Sequence, residues 1–308
     1  MGICRRIGMA GFMATVAVVG AGCSNDTAGG DKGSVDLSGQ NFTEMQIMAE
    51  MYSQLLENEG YSVSTKLVDT RDVYIKELQS GGVDVAPEYV GALADFLNVT
   101  QNGEDAETVT SPDPTESLNA LEPLADKANI TLLEPAEASD QNAFAVTQEF
   151  AEQNDLATLS DLGALGQPIV LAAAPDCEGR TDCEAGLTEQ YGIDITKVLG
   201  LGYGSPQTID SVKNGESQLA EVATTQSNVT AEGLVILEDD KQVQPAQNLI
   251  PAMNSDFLQD NPDAADALNK LADTLTTDDL TELNTKVDLE REDPADVAKQ
   301  YLEDNGLL

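Results

Sequence analysis

Few side chains in this sequence could do covalent or metal chemistry. Histidine is absent, which removes Ser-His-Asp and Cys-His catalysis and every histidine-containing zinc site. There is no G-x-S-x-G nucleophile elbow and no glycine-rich phosphate loop. Carboxylates are so abundant, 55 Asp plus Glu against 15 Lys plus Arg, that a pair of them close in sequence says nothing about acid–base catalysis. What remains is binding chemistry: amides, hydroxyls, carboxylates and a small stock of aromatic faces, with no Trp, seven Tyr and six Phe. We therefore expect no enzyme, no cofactor and no metal centre.

The charge balance narrows the partners further. A formal net charge of −40 repels phosphate backbones and anionic lipid headgroups, so nucleic acid is excluded as a partner. The same field concentrates cations near the surface. It also keeps an exposed protein dissolved in salty surroundings, and the sequence leaves both readings open.

Arg5 and Arg6 precede an uncharged stretch, residues 7–22, that is shorter than the roughly 20 residues needed to cross a bilayer. Residues 1–22 read as a secretory signal peptide. The stretch ends in Gly20-Ala21-Gly22-Cys23, which resembles a bacterial lipoprotein cleavage site, although Gly20 stands where such sites usually carry an aliphatic residue. The resemblance implies lipidation of Cys23, with residues 23–34 as a flexible tether. The expected location is extracytoplasmic, lipid-anchored to the outer face of the cell membrane, with the membrane contacted through that anchor only. Cys4 leaves with the signal, so Cys177 and Cys183 remain, bracketing a short loop of turn-forming residues in a compartment that permits disulfides. We expect them to be bridged; the rival metal pair lacks further soft ligands nearby.

The elements that must position any site follow from periodicity. At 308 residues the chain has room for two compact units or one large two-lobed α/β domain. Thr43 with Gln46 predicts a capping-box helix start, and Ile47, Met48, Met51, Tyr52, Leu55 and Leu56 keep helical spacing as far as Gly60. Tyr61, Val63, Thr65 and Leu67 alternate as a strand; a helix over about 72–79 stops at Gly81-Gly82; residues 83–86 form a short strand broken by Pro87. This β-α-β-α-β order argues for a parallel-type sheet flanked by helices, with ligands at the carboxyl ends of its strands. Residues 101–117 read as an acidic loop, a strand begins at Asn142, and the last part is helical, with Pro262 and Asp293-Pro294 at helix starts.

Several segments, in order, resemble the substrate-binding proteins of osmoprotectant ABC transporters, the glycine betaine/carnitine/choline group. Asn41-Phe42-Thr43-Glu44 resembles that family's N-F-T-E motif, and Asp84-Val85-Ala86-Pro87-Glu88-Tyr89-Val90-Gly91 its D-[LI]-x-P-E-Y-x-G motif. Val212-Lys213-Asn214-Gly215-Glu216 and Leu283-Asn284-Thr285-Lys286-Val287-Asp288 resemble two further family patterns. The resemblance implies a two-lobed type II periplasmic-binding-protein fold with two hinge crossovers. Lobe 1 would comprise 35–138 and 240–308, and lobe 2 139–239, with hinges near 137–141 and near Asp239. It also implies a monomer that captures a small osmolyte by closing its lobes and delivers it to ABC permease and ATPase subunits.

Ligands of that family carry a trimethylammonium head, which aromatic faces hold by cation–π attraction. Tyr89 falls at the family's lobe 1 tyrosine, against the plainer reading of a core tyrosine beside Pro87. Asn41, Phe42, Thr43 and Glu88 sit in the two motifs; Phe42 or Thr43 could touch ligand or donate a backbone N–H, or merely cap and pack. Arg71, one of three arginines beyond the leader, is a candidate for a ligand carboxylate or a surface ion pair. Two positions depart from the family pattern: Asn142 in Asp140-Gln141-Asn142 and Ala223 before Thr224-Thr225-Gln226 stand where many relatives carry aromatics. Tyr203, between two glycines, is the substitute ring, and Asp140, Gln141, Asn142, Thr224, Thr225 and Gln226 offer a polar lobe 2. The alternative ligand is therefore a non-quaternary polar solute, an amino acid or hydroxylated osmolyte, bound by the same fold in the same role.

Overall fold

The computed structural model describes residues 32–308. The signal peptide, Cys23 and all but the end of the tether lie outside the described residues. The first lobe opens with β1 (Ser34–Gln40), α1 (Thr43–Asn58), β2 (Ser62–Val68), α2 (Arg71–Ser80), β3 (Val85–Tyr89), α3 (Val90–Asn102), α4 (Pro114–Lys127) and β4 (Ile130–Leu132). The second holds β5 (Asn142–Thr147), α5 (Gln148–Asn154), α6 (Leu159–Ala164), β6 (Pro168–Ala173) and α7 (Glu184–Tyr191). It continues through β7 (Asp194–Gly200), α8 (Pro206–Lys213), β8 (Leu219–Ala223), α9 (Asn228–Ala231) and β9 (Leu234–Leu237). The chain then returns to the first lobe as β10 (Leu249–Asn254), α10 (Ser255–Asp260), α11 (Asp263–Ala272), α12 (Thr277–Asp288) and α13 (Pro294–Asp304).

The two sheets are built alike. The first has strand order β2-β1-β3-β10-β4 and the second β7-β6-β8-β5-β9. In the first, β1 lies parallel to β2 and β3; in the second, β6 lies parallel to β7 and β8. Each sheet takes in, antiparallel, the strand that has just crossed from the other lobe: β10 between β3 and β4, β5 between β8 and β9. This is the expected two-lobed α/β architecture.

The crossings run side by side. Ser139 and Asn248 form an antiparallel bridge, flanked by Leu249 N–H to Ala138 O at 2.9 Å and Asp140 N–H to Gln247 O at 3.2 Å. The return therefore falls at about 245–248, later than the expected crossing near Asp239. The reason is local: the Asp239 carboxylate accepts from the backbone N–H groups of Val243 and Gln244 and from the Tyr191 hydroxyl, tying residues 239–244 to the second lobe.

Other expectations need correction. The strand at Pro87 continues to Tyr89, because Pro87 faces Pro251 across the β3/β10 ladder. Neither proline has an N–H, so the pair occupies a non-hydrogen-bonded position where none is needed from the partner strand. The capping box at Thr43 does not form: Phe42 is the N-cap without a side-chain bond, and the Thr43 hydroxyl donates instead to Asp288 Oδ1 at 2.6 Å. The acidic segment 101–117 is a loop only in its middle, because Asp113 caps α4 through the N–H groups of Thr115 and Glu116.

The first lobe's main core forms where α1 buries Ile47, Met48, Met51, Tyr52, Leu55 and Leu56 against the sheet and α11–α13. Burial of each such side chain stabilises by roughly 1.5–3 kcal/mol. The rigid α1 therefore fixes the residues at its amino end, beside the junction of the lobes.

Candidate functional site

Tyr89 closes β3 and caps α3 in an extended conformation. Successive strand residues face opposite ways, so Tyr89 and Glu88 cannot share a face. Tyr89 turns toward α1, where its hydroxyl donates to the buried carboxylate of Glu44. Glu88 turns the other way, accepting from Arg71 Nε at 3.0 Å and from the Tyr74 hydroxyl. Gly91 follows because a Cβ there would lie 2.5 Å from the carbonyl oxygen of Ala246, in the returning hinge strand. The Pro-Glu-Tyr-Val-Gly motif thus places one ring, one buried ion pair and one close backbone contact.

Across from Tyr89, the loop after β7 presents Tyr203, which is 43% exposed. Gly202 and Gly204 have φ of 109° and 53°, in the region that favours glycine. Gln226 clamps this turn, its amide donating to Gly204 O at 3.0 Å. Gln226 is thereby a support for the Tyr203 turn.

Between the lobes these elements enclose a cavity of about 320 Å³, with Tyr89, Asp140, Asn142 and Tyr203 in its wall. Sequence reasoning missed several of its other residues: Arg180, Asp182, Glu221, Gln244 and Gln247. Arg180 and Asp182 lie in the loop closed by the Cys177–Cys183 disulfide, whose Cα atoms are 5.4 Å apart. Arg180 Nε donates to Asp182 Oδ1 at 2.9 Å, and its Nη2 reaches the other oxygen, so the guanidinium is held in a fork. Asn142 donates to Asp182 Oδ2 at 3.1 Å. Asn142 also pairs with Ala223 across β5 and β8, so the two positions expected to be aromatic in relatives are cross-strand neighbours.

The remaining candidates separate by what they touch. Arg71 and Glu88 pair with each other outside the cavity wall, so neither is placed to meet a ligand there. Asn41 accepts from Gln46 at 2.9 Å, Phe42 is 39% exposed at the helix start, and none of the Asn41-Phe42-Thr43 side chains lines the cavity. The motif's fourth residue, Glu44, is the one that reaches Tyr89. Gln141 and Thr224 brace the hinge: Thr224 Oγ1 accepts from Gln141 N–H at 3.0 Å and donates to Ser139 O at 3.1 Å. Thr225 is buried, and its hydrogen bonding reaches both Glu44 and Asp140.

The electrostatics are anionic. Burial pushes the Asp140 carboxyl up to about 7, and the nearby Glu44 charge pushes the same way, with Thr225 opposing. Burial likewise raises Glu44, against hydrogen bonds from Tyr89, Asn284 and Thr225, and raises Glu221, against Ala174 N–H and Arg180. Arg180 is the one cationic side chain in the wall among the described residues, and Asp182 already engages it. Carboxyl groups, Asp140, Asp182 and Glu221, thus outnumber the guanidinium in the cavity wall.

Two lobes joined by paired crossovers, with a small polar and aromatic cavity between them, define a solute-binding protein. Residues 33–304 match the family described as the substrate binding domain of ABC-type glycine betaine transport systems, and the chain belongs to that family. It is 28% identical over 273 residues to the glycine betaine-binding protein YehZ of Escherichia coli, covering 86% of this chain and 88% of the relative. It is 26% identical over 283 residues to a glycine-betaine-binding protein of Pseudomonas aeruginosa, covering 88% of each. The solved structure of apo YehZ superposes with a TM-score of 0.75 at 26% identity, over 89% of this chain and 99% of that one.

Proposed function

We propose that the protein captures a quaternary-ammonium osmoprotectant of the glycine betaine, choline and carnitine class between its lobes and delivers it to the permease and ATPase subunits of an ABC importer. The observation that carries this reading is the meeting of Tyr89 and Tyr203 with Asp140 and Glu221 in one cavity. A trimethylammonium head offers no conventional hydrogen bond, so it is held by ring faces, roughly 0.5–2 kcal/mol each, and by nearby negative charge. The names of the relatives agree with this class of ligand.

The protein acts as a monomer on the outer face of the cell membrane, tethered through lipid on Cys23. Among the described residues no helix is long and apolar enough to cross a membrane. Lobe closure about the paired crossover strands is the motion that traps the solute.

Isothermal titration of the protein with glycine betaine, choline and carnitine tests the reading. Saturable binding of at least one of them is expected. Heat-silent titrations with all three, on a sample that melts cooperatively, together with no ligand-induced rise in melting temperature, would remove it.

A further inference from the structure

The turn that carries Tyr203 is tied down on both sides of the ring. Leu201 and Gly202 donate their N–H groups to Ala173 O at 2.9 and 3.0 Å, and Gly204 donates to Glu221 O at 3.1 Å. The Thr208 hydroxyl donates to Gly202 O at 2.6 Å and the Ser205 hydroxyl to Leu201 O at 2.8 Å. The last tie comes from outside the turn. Gln226 Nε2 donates to Gly204 O at 3.0 Å and to Asn228 Oδ1 at 2.7 Å, while its Oε1 accepts from Ala223 N–H at 3.3 Å. The fit is close: a Cβ on Gly204 would lie 2.2 Å from Gln226 Oε1. A ring presented on such a turn keeps its place before a ligand arrives, which lowers the ordering cost of binding.

The two neighbours of Gln226 are bonded to the other lobe. Thr225 O accepts from Asn284 Nδ2 at 3.1 Å, and the Ser227 hydroxyl donates to Asp288 Oδ2 at 3.0 Å, both partners lying on α12. Three consecutive residues therefore join α12 of the first lobe to the Tyr203 turn of the second, with the Gln226 amide as the middle link. Neither Gln226 nor Asn284 nor Asp288 lines the cavity, whereas Tyr203 does.

Resting on the capture of a solute in this cavity, we propose that Gln226 is a positioning residue, which couples the docking of α12 on residues 225–227 to the placement of the Tyr203 ring. When α12 leaves this segment, the Gln226 amide shifts and Gly204 shifts with it, so the ring is set for a solute only while the lobes are joined. The sequence has no Trp, so Tyr203→Trp supplies a single fluorescent reporter of the turn. In ligand-free Tyr203→Trp protein, Asp288→Ala should make the indole more readily quenched by acrylamide. Gln226→Ala should do the same, and adding Asp288→Ala to it should raise quenching no further. Gln226→Glu, which keeps the acceptor for Ala223 but loses the donor to Gly204, should behave as Gln226→Ala does. Glu282→Ala removes an exposed carboxylate from α12 without touching residues 225–227 and should leave quenching unchanged. Quenching insensitive to Asp288→Ala, or raised by it equally with and without Gln226, overturns the proposal. With tyrosine at 203, calorimetry uses whichever of glycine betaine, choline and carnitine binds most tightly. Gln226→Ala should weaken that binding about tenfold, but by less than about twofold when Tyr203→Ala is already present. An undiminished loss in the second background also overturns it. Silence from all three solutes would remove the binding reading, and the ligand-free quenching comparison would still decide the coupling.

Discussion

Ser227 in the second lobe donates its hydroxyl hydrogen bond to Oδ2 of Asp288 in the first, at 3.0 Å. The other oxygen of Asp288 accepts from Thr43 at 2.6 Å, at the start of α1. One helical turn earlier on α12, Asn284 donates to Glu44 Oε2 at 2.7 Å and to Thr225 O at 3.1 Å. Residues four apart share a helix face, so the Leu-Asn-x-x-Val-Asp motif presents both side chains to the second lobe. Glu44 also accepts from the Tyr89 hydroxyl, so the clasp reaches the cavity wall through Glu44.

Removing that clasp should lower ligand affinity without touching the cavity wall. Asp288→Ala leaves Thr43 and Ser227 without their acceptor and favours the open arrangement, which reduces apparent affinity by about tenfold. Ser227→Ala should cost less. Calorimetry measures the affinity, and small-angle scattering should show a larger radius of gyration for Asp288→Ala in saturating ligand. Equal affinity in both variants would mean that the contact does not hold the closed form.

The two rings should differ in what they contribute. Tyr89→Ala loses a ring face and leaves Glu44 without one of its donors, so binding should weaken at least tenfold, or about 1.4 kcal/mol, and the protein should also melt earlier. Tyr203→Ala should weaken binding comparably while leaving the melting temperature nearly unchanged, because Tyr203 is 43% exposed. Paired calorimetry and thermal melts separate the two outcomes.

Affinity for a cation should rise with pH. Asp140, raised to about 7, faces Glu44, Tyr89, Tyr203 and Glu221 with Arg180 and Asp182 beyond, and it gains its charge as pH climbs from 6 to 8. Free-protein stability moves in the opposite direction. The folded state holds a proton on Asp140 that the unfolded chain gives up near pH 4, so its contribution is full at low pH and is lost as pH rises through about 7; Glu44, raised by burial, acts in the same direction. Melting curves between pH 5 and 8, with and without ligand, should therefore diverge, and the ligand-induced shift should grow with pH.

Arg71 and Glu88 should prove structural. Arg71→Ala leaves the buried Glu88 with only the Tyr74 hydroxyl and the Tyr89 backbone N–H, a loss of about 3 kcal/mol by denaturant unfolding. The fraction that stays folded should bind ligand with unchanged affinity, since neither side chain lines the cavity. A selective loss of affinity at unchanged stability would return Arg71 to the binding site.

Much of the scaffold was legible because its signals are local. The apolar spacing of α1, the stop at Gly60, the Gly81 end of α2 and the Asp293-Pro294 opening of α13 all depend on residues within a turn or two of one another. Period-two alternation was available to separate Glu88 from Tyr89, and it places them on opposite faces. Arg180, Asp182 and Glu221 were not legible, because what makes them part of a site is the folding of a disulfide loop over β8, a relationship no short window contains. The same holds for Thr43, whose hydroxyl leaves the local cap for a carboxylate 245 residues away.

The Cys177–Cys183 bridge sits directly beneath the Arg180–Asp182 fork. A nascent copy in a reducing cytosol would keep that loop slack, and one wall of its cargo chamber would be unassembled. Unlinking the two cysteines would loosen the loop that carries Arg180 and Asp182.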